Sequence, residues 1–284
     1  MNEFINQLSQ ESAIMVLESD IEIDRAISDY MTESSMMSIL DVYVESEEAL
    51  GKAEESKFKA FINKLIETIK RLAKKVSDGF KNIFVKDNLT AEDYFNDPNV
   101  RIEINKDFKK IADELEEEML KGRKYVQAIS KGTGVDDRAI ANFCDNAANF
   151  GIKEGKYITT GVSIMALSRY YRKRLPSFAK NLEYDYKALD KAVEERIRKN
   201  RYAAEDMGIS TKYGNKPVRK AVVEDAVKLR RQASSLCSAM GRLFTKYCSI
   251  SNELQVEVNK AKKRSMPPKT KVINIGNVEL TISK

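Results

Sequence analysis

Apolar side chains recur at positions i, i+3, i+4 and i+7 along most of this sequence, and a chain that repeats on that period lines up its apolar stripe only as an α-helix. The pattern is cleanest over residues 56–86. There Phe58, Phe61, Ile62, Leu65, Ile66, Ile69, Leu72, Ala73, Val76, Phe80, Ile83 and Phe84 fall on one side of a single helix. It returns over 107–129 through Phe108, Ile111, Ala112, Leu115, Met119, Leu120, Val126 and Ile129. Over 218–264 it runs through Val222, Ala226, Leu229, Ala233, Leu236, Cys237, Met240, Leu243, Phe244, Tyr247, Leu254 and Val258. That last stripe covers about 45 residues, the length of a bundle or coiled-coil helix. Twelve Gly and five Pro in 284 residues leave few places for such helices to break.

The breakers that do occur set the boundaries. Asn88, Asn96, Asp97-Pro98 and Asn99 mark 87–100 as a linker, and Pro98 biases its predecessor away from helix. Gly132-Thr133-Gly134 stops the helix over 107–129, and Asp136 is placed to cap the next one, running to about Phe150. A Gly-Thr-Gly loop ahead of a helix suggests a phosphate cradle. This one lacks the Gly-Lys-Ser/Thr ending and follows no strand. A helix over 153–175 is expected to end at Pro176, ahead of a separate, heavily charged helix over 177–205. Gly208 and Tyr213-Gly214-Asn215 form the loop before Pro217 opens the longest helix. After Pro267-Pro268 the chain alternates apolar and polar residues about Gly276-Asn277, which reads as a β-hairpin. A lone hairpin is marginal and should pack on the bundle or pair with another chain. The expected fold is all-α: an elongated multi-helix bundle with a long C-terminal helix and a small terminal β-hairpin, strand being confined to the last fifteen or so residues.

Charge is unevenly laid out. Residues 1–55 carry fourteen carboxylates against Arg25 and Lys52, a net of −12, so the remaining chain carries +18 within an overall +6. The division expected is an acidic leader over 1–55, a basic amphipathic helix over 56–86, the linker over 87–100, a helical bundle over 101–266 and a hairpin tail over 267–284. The leader is not plain disordered acid, because Ile14, Leu17, Ile21, Ile39 and Leu40 are dense enough to bury. It reads either as a masking segment or as ordinary core helices with an acidic outer face.

The polar side of the 56–86 helix carries Lys57, Lys59, Lys64, Lys70, Arg71, Lys74, Lys75 and Lys81. Three readings stay open. The helix packs on the fold with its lysines solvated, lies on an anionic membrane surface, or presents its basic face to nucleic-acid phosphates. A composition rich in Lys and poor in Arg signals diffuse attraction without base readout. A second basic cluster, Arg169, Arg172, Lys173 and Arg174, is interleaved with Tyr170 and Tyr171. That mixture suits a stacking platform for single strands, and suits a helix C-terminus better.

The chain has no histidine, which removes the usual general base, the usual zinc sites and Ser-His-Asp or Cys-His arrangements. A non-enzymatic protein is expected, with no cofactor, no metal and no small-molecule substrate evident. Cys144, Cys237 and Cys248 are odd in number, widely spaced and without a CxxC pair, which suits buried thiols in a reducing compartment. No apolar run reaches membrane-span length and no secretory signal opens the chain.

The acidic Ser/Glu-rich leader, the switch at Glu54-Glu55-Ser56-Lys57-Phe58 and the Lys/Phe/Ile helix that follows resemble the internal virion proteins of large tailed bacteriophages. The resemblance covers about the first 85 residues. It implies a packaged structural protein located in the virion or the host cytoplasm. It also implies a leader removed by a head-maturation protease that favours cutting after Glu with a small residue two positions earlier. Ser46-Glu47-Glu48 and Ala53-Glu54-Glu55 fit that pattern, as does Ser9-Gln10-Glu11, which makes Glu48 and Glu55 processing candidates. The partners expected are other virion proteins or self-association, nonspecific DNA and, on the alternative reading of the 56–86 helix, an anionic membrane surface.

Overall fold

The computed structural model describes residues 47–85, 99–206, 216–265, 270–275 and 278–283, together with Ile14, Glu18, Ile21, Arg25 and Phe95. Side chains are described for those five residues and for 58–80, 99–199, 225 and 227–261. Five helices and four short strands follow in the order α1 (Glu47–Val85), β1 (Arg101–Ile104), α2 (Phe108–Ser130), α3 (Asp137–Ala148), β2 (Tyr157–Thr160), α4 (Gly161–Asp206), α5 (Lys216–Ser265), β3 (Thr270–Ile275) and β4 (Val278–Ser283) among the described residues. The protein is an all-α bundle with a small terminal hairpin.

The centre of the bundle is α5. From Arg230 to Ala261 only Arg231 and Lys260 are exposed, and one narrow stripe through Ser235, Arg242, Lys246, Ser249 and Glu253 is half-buried, so neighbours cover most of this stretch. Ala233, Ser234, Ala239 and Gly241 keep its surface low enough for neighbours to approach closely. Its buried hydroxyls are answered by its own backbone: Ser238 donates to the Ser234 carbonyl at 2.8 Å and Ser251 to the Tyr247 carbonyl at 2.7 Å. A helix can therefore carry serines through a core without leaving polar atoms unpaired.

The other helices are tied to α5 by side chains from distant parts of the chain. Gln255 donates to the Val76 carbonyl of α1 at 2.9 Å, and Tyr186 of α4 donates to the Cys237 carbonyl at 2.6 Å. Gly122 marks the closest approach of α2. A Cβ there would lie 2.7 Å from Phe143 Cζ of α3 and 2.9 Å from Met240 Cγ of α5, so a larger residue pushes three helices apart. Lys246 reaches across to the C-terminal end of α3, donating to the Ala147, Ala148 and Phe150 carbonyls at 3.0, 2.9 and 3.1 Å. A lysine there satisfies carbonyls that the helix itself leaves open and sits at the negative end of its dipole.

Local signals place most boundaries. Asp107 caps α2 by accepting from the Lys110 backbone N–H at 3.1 Å, and Asp136 caps α3 by accepting from that of Arg138 at 3.2 Å. Gly132 and Gly134, with φ of 72° and 71°, let the chain leave α2 through the left-handed region. The terminal hairpin pairs Ile275 with Val278 and Thr270 with Ser283, the expected turn at Gly276-Asn277 lying outside the described residues.

The structure departs from the sequence expectations in three places. First, Pro176 does not end a helix: α4 runs continuously from Gly161 to Asp206 with Pro176 inside it. The Arg172 carbonyl loses its helical donor, yet Leu175, Phe178, Ala179 and Leu182 are all buried on either side of the proline. Those contacts hold both turns in line against a penalty of about 3 kcal/mol. Second, strand is not confined to the C-terminus. Residues 157–160, expected to be helical, form β2 and pair antiparallel with β1, Arg101 opposite Thr160 and Ile104 opposite Tyr157. This strand pair buries Ile102 and Ile104. Third, α1 begins at Glu47, upstream of residue 56, so the change of charge at 55/56 falls inside a helix. Of the leader, Ile14, Glu18, Ile21 and Arg25 are helical and exposed. The linker expectation over 87–100 falls almost wholly outside the described residues.

Candidate polyanion-binding surface

The apolar stripe of α1 is core. Phe58, Ile62, Leu65, Ile69, Leu72, Val76 and Phe80 are buried in the same cluster as the α4 and α5 side chains. With that face fixed inward, helical geometry turns the opposite side to solvent. Lys59, Lys64, Lys70, Arg71, Lys74 and Lys75 are all exposed there, with Glu67 the one exposed acid between Phe58 and Phe80. Lys57 and Lys81 belong to α1, their side chains lying outside those described.

The partner of this face is α4. Lys59 meets Glu194 at 3.5 Å and Lys70 meets Glu183 at 2.9 Å, so the two helices run antiparallel. Along α4 the residues Arg169, Lys173, Lys180, Lys187 and Lys191 recur at helical spacing and all are exposed. Basic side chains from two distant stretches of sequence are thereby laid on one helix pair.

Not all of them are available. Arg174 binds Glu116 of α2 at 3.0 Å and lies over the Phe178 ring, 4.8 Å from its centroid. Tyr171 is buried, donating to the Phe108 carbonyl at 2.8 Å, and Tyr170 is hydrogen-bonded to the same Glu116. Burial and that carboxylate push the Tyr170 phenol up to about 12. The Tyr-Tyr-Arg stretch is thus a docking point of α2 on α4: the Tyr171 ring is buried and cannot receive a base, while Tyr170 stays 40 % exposed with its hydroxyl held by Glu116. The helix-end reading fails, since α4 continues past Pro176. Arg172 is half-buried in the same turn. Lys64, Lys74, Lys75, Lys173 and Lys180 make no ion pair among the described residues.

Where α1 and α4 pass each other at Pro176, a cleft of about 310 Å³ opens between them. Lys70, Lys74 and Lys180 line it together with Ser77, Ala73 and Ala179. Glu183 stands at one end, bonded to Lys70 at 2.9 Å and to Lys187 at 2.7 Å, and these two ammonium groups, Lys187 first, hold its carboxyl below the usual range. Sequence reasoning did not find Lys180 or Ser77. Lys180 lies in a stretch where charge is everywhere, and Ser77 on a helix carries no signal of its own.

Glu48 and Glu55, the processing candidates, both lie within α1. Cutting there requires the first turns of the helix to open, since a protease takes extended backbone. No helix among the described residues is long and apolar enough to cross a membrane. No protein-family model, curated protein or solved structure matches the chain.

Proposed function

We propose that this is a non-enzymatic structural protein of a bacteriophage particle that holds double-stranded DNA, without sequence preference, on the basic face shared by α1 and α4. The observation that carries this is the convergence of Lys64, Lys74, Lys75, Lys173 and Lys180 on one antiparallel helix pair, all exposed and none in an ion pair among the described residues. Lysines unengaged within the fold are the ones that release counterions on meeting phosphate, and lysine at this density attracts backbone without reading bases. The virion setting rests on the resemblance of the first 85 or so residues; capsid, portal or protease genes beside this one would support it. The membrane alternative needs an apolar face on α1, and in this fold that face is packed inside the bundle.

The test is anisotropy of a labelled random-sequence duplex titrated with the full chain at several salt concentrations. Five neutralised phosphates predict a slope of log affinity on log salt of about −4.5. Lys64→Gln with Lys75→Gln should flatten it by about 2. Absence of binding at low salt, or a slope unmoved by the double variant, would overturn the proposal.

A further inference from the structure

We propose that the cleft at Pro176 between α1 and α4 is a site for a single phosphate group. This builds on the DNA-binding reading but makes a separate claim, that one pocket on the basic face is organised around an oxyanion. The group it takes is a backbone phosphodiester of DNA or the phosphate of a free small molecule, and the two share the same chemistry at the site.

The cleft exists because of its small residues. Pro176 faces α1 across Ala73, Ser77 and Ala179, and none of these side chains is long enough to fill the gap. The lining supplies donors in excess of acceptors. Lys74 and Lys180 bring three N–H groups each and no ion-pair partner among the described residues. Lys70 adds a third ammonium, and the carboxylate it meets, Glu183, is already claimed a second time by Lys187. Asp78, the other carboxylate of the lining, has an interaction of its own.

Ser77 is the observation that points to a ligand. It is 7 % exposed, and its hydroxyl makes no hydrogen bond among the described residues. The other buried helical serines behave differently: Ser168, Ser238 and Ser251 each donate to the carbonyl four residues earlier, at 2.8, 2.8 and 2.7 Å. A hydroxyl that lines the cleft and makes no bond to its own helix, among ammonium groups, is a donor open to an acceptor from outside. Phosphate meets that need better than a carboxylate, because it offers more acceptor oxygens and more charge to lysines acting as point charges.

The experiment uses the full chain, isotopically labelled, and follows backbone amide shifts while inorganic phosphate is added at constant ionic strength. The expected result is saturation at millimolar phosphate at Ser77 and residues 177–180, with no saturating shift on α3. Ser77→Ala and Lys180→Gln should each weaken that binding several-fold, whereas Lys75→Gln, on the same face outside the cleft, should leave it unchanged. Shifts that never saturate, or that saturate equally in Ser77→Ala and Lys180→Gln, overturn the site. A duplex-binding arm then separates the sources. If DNA backbone is the occupant, Lys180→Gln weakens duplex binding more than Lys75→Gln although each removes one charge, and phosphate competes. Equal weakening, with phosphate saturation intact, assigns the site to a free phosphate compound. DNA binding without phosphate saturation overturns the cleft and leaves the basic face standing; phosphate saturation without DNA binding does the reverse.

Discussion

Three tyrosines inside the bundle meet two different environments. The hydroxyls of Tyr171 and Tyr186 donate to the Phe108 and Cys237 carbonyls at 2.8 and 2.6 Å. The Tyr247 hydroxyl is buried and has no hydrogen-bond partner among the described residues, although its ring packs on Tyr171 and Phe178 at 4.9 and 5.0 Å. Losing a hydroxyl is costly only where it removes a bond, so Tyr186→Phe should lower stability by about 1 kcal/mol while Tyr247→Phe leaves it level or raises it. Urea denaturation of the two variants checks the contrast, and an equal loss in both would show that Tyr247 has a partner after all. Asp185 is a second case. It is 3 % exposed, with Arg123 Nε 3.3 Å from Oδ1, and burial pushes its carboxyl up to about 6 against the opposing pull of Arg123. In an unfolded chain it titrates near its ordinary value of about 3.9, so between roughly pH 4 and 6 the folded form holds more protons on this group. Its contribution to stability therefore falls as pH rises through that window, by on the order of 2–3 kcal/mol. Asp185→Asn should flatten the pH dependence across the window relative to wild type. If wild type gains more stability than the variant over that range, Arg123 outweighs burial and the sign is reversed.

At the scale of elements, α1 and α4 make opposite points. The stripe of α1 is read correctly from its period, and its burial sharpens what a charge placed there does. Ile66→Asp with Ile69→Asp puts two carboxylates into the core, a penalty of several kcal/mol and comparable with the whole stability of a domain. The double variant should lose its cooperative thermal transition by circular dichroism; normal folding would mean that the stripe is not core. Pro176 shows where local reading stops. A proline ahead of a charged stretch signals a helix end, and nothing nearby in the sequence reveals that Leu175 and Leu182 are anchored in the same core. Pro176→Ala returns an N–H to the Arg172 carbonyl and should stabilise the protein by about 1–3 kcal/mol, read as a shift of the denaturation midpoint. An unchanged midpoint would show that packing had already absorbed the defect. The strand pair was missed for a related reason. Each strand is four residues long, and the two lie on either side of α2 and α3 with no turn joining them. The signals were short ones, alternation in Arg101-Ile102-Glu103-Ile104 and the run Tyr157-Ile158-Thr159-Thr160, the second of which was absorbed into the helix expected over 153–175.

Over the whole molecule the question is how an acidic N-terminal stretch and a basic body coexist. Residues 1–46 hold ten carboxylates against Arg25, and removing them leaves α1 whole. If this stretch competes with phosphate for the basic face, the truncated protein binds duplex DNA more tightly than the full chain and with a steeper salt slope, the gap closing as salt rises. Equal affinities and slopes would show that the stretch does not cover that face, and insolubility of the truncated protein would show that it is part of the core.

The sequence by itself determined the helical class, the apolar stripes, the caps at Asp107 and Asp136, the terminal hairpin and the surplus of lysine on α1. Each of these depends on residues within a turn or two of one another, where period, capping and turn chemistry act. Which stripe occupies the centre was settled only in three dimensions. The helix that became the hub is the one whose Ala, Ser and Gly positions let neighbours close around it, and that is a property of fit between surfaces far apart along the chain. The same tertiary fit set α1 against α4, brought Lys74 and Ser77 opposite Lys180, and kept α4 whole through Pro176. The cleft is visible only there, because its two walls are about a hundred residues apart in sequence and their approach is fixed by core packing that no local pattern encodes.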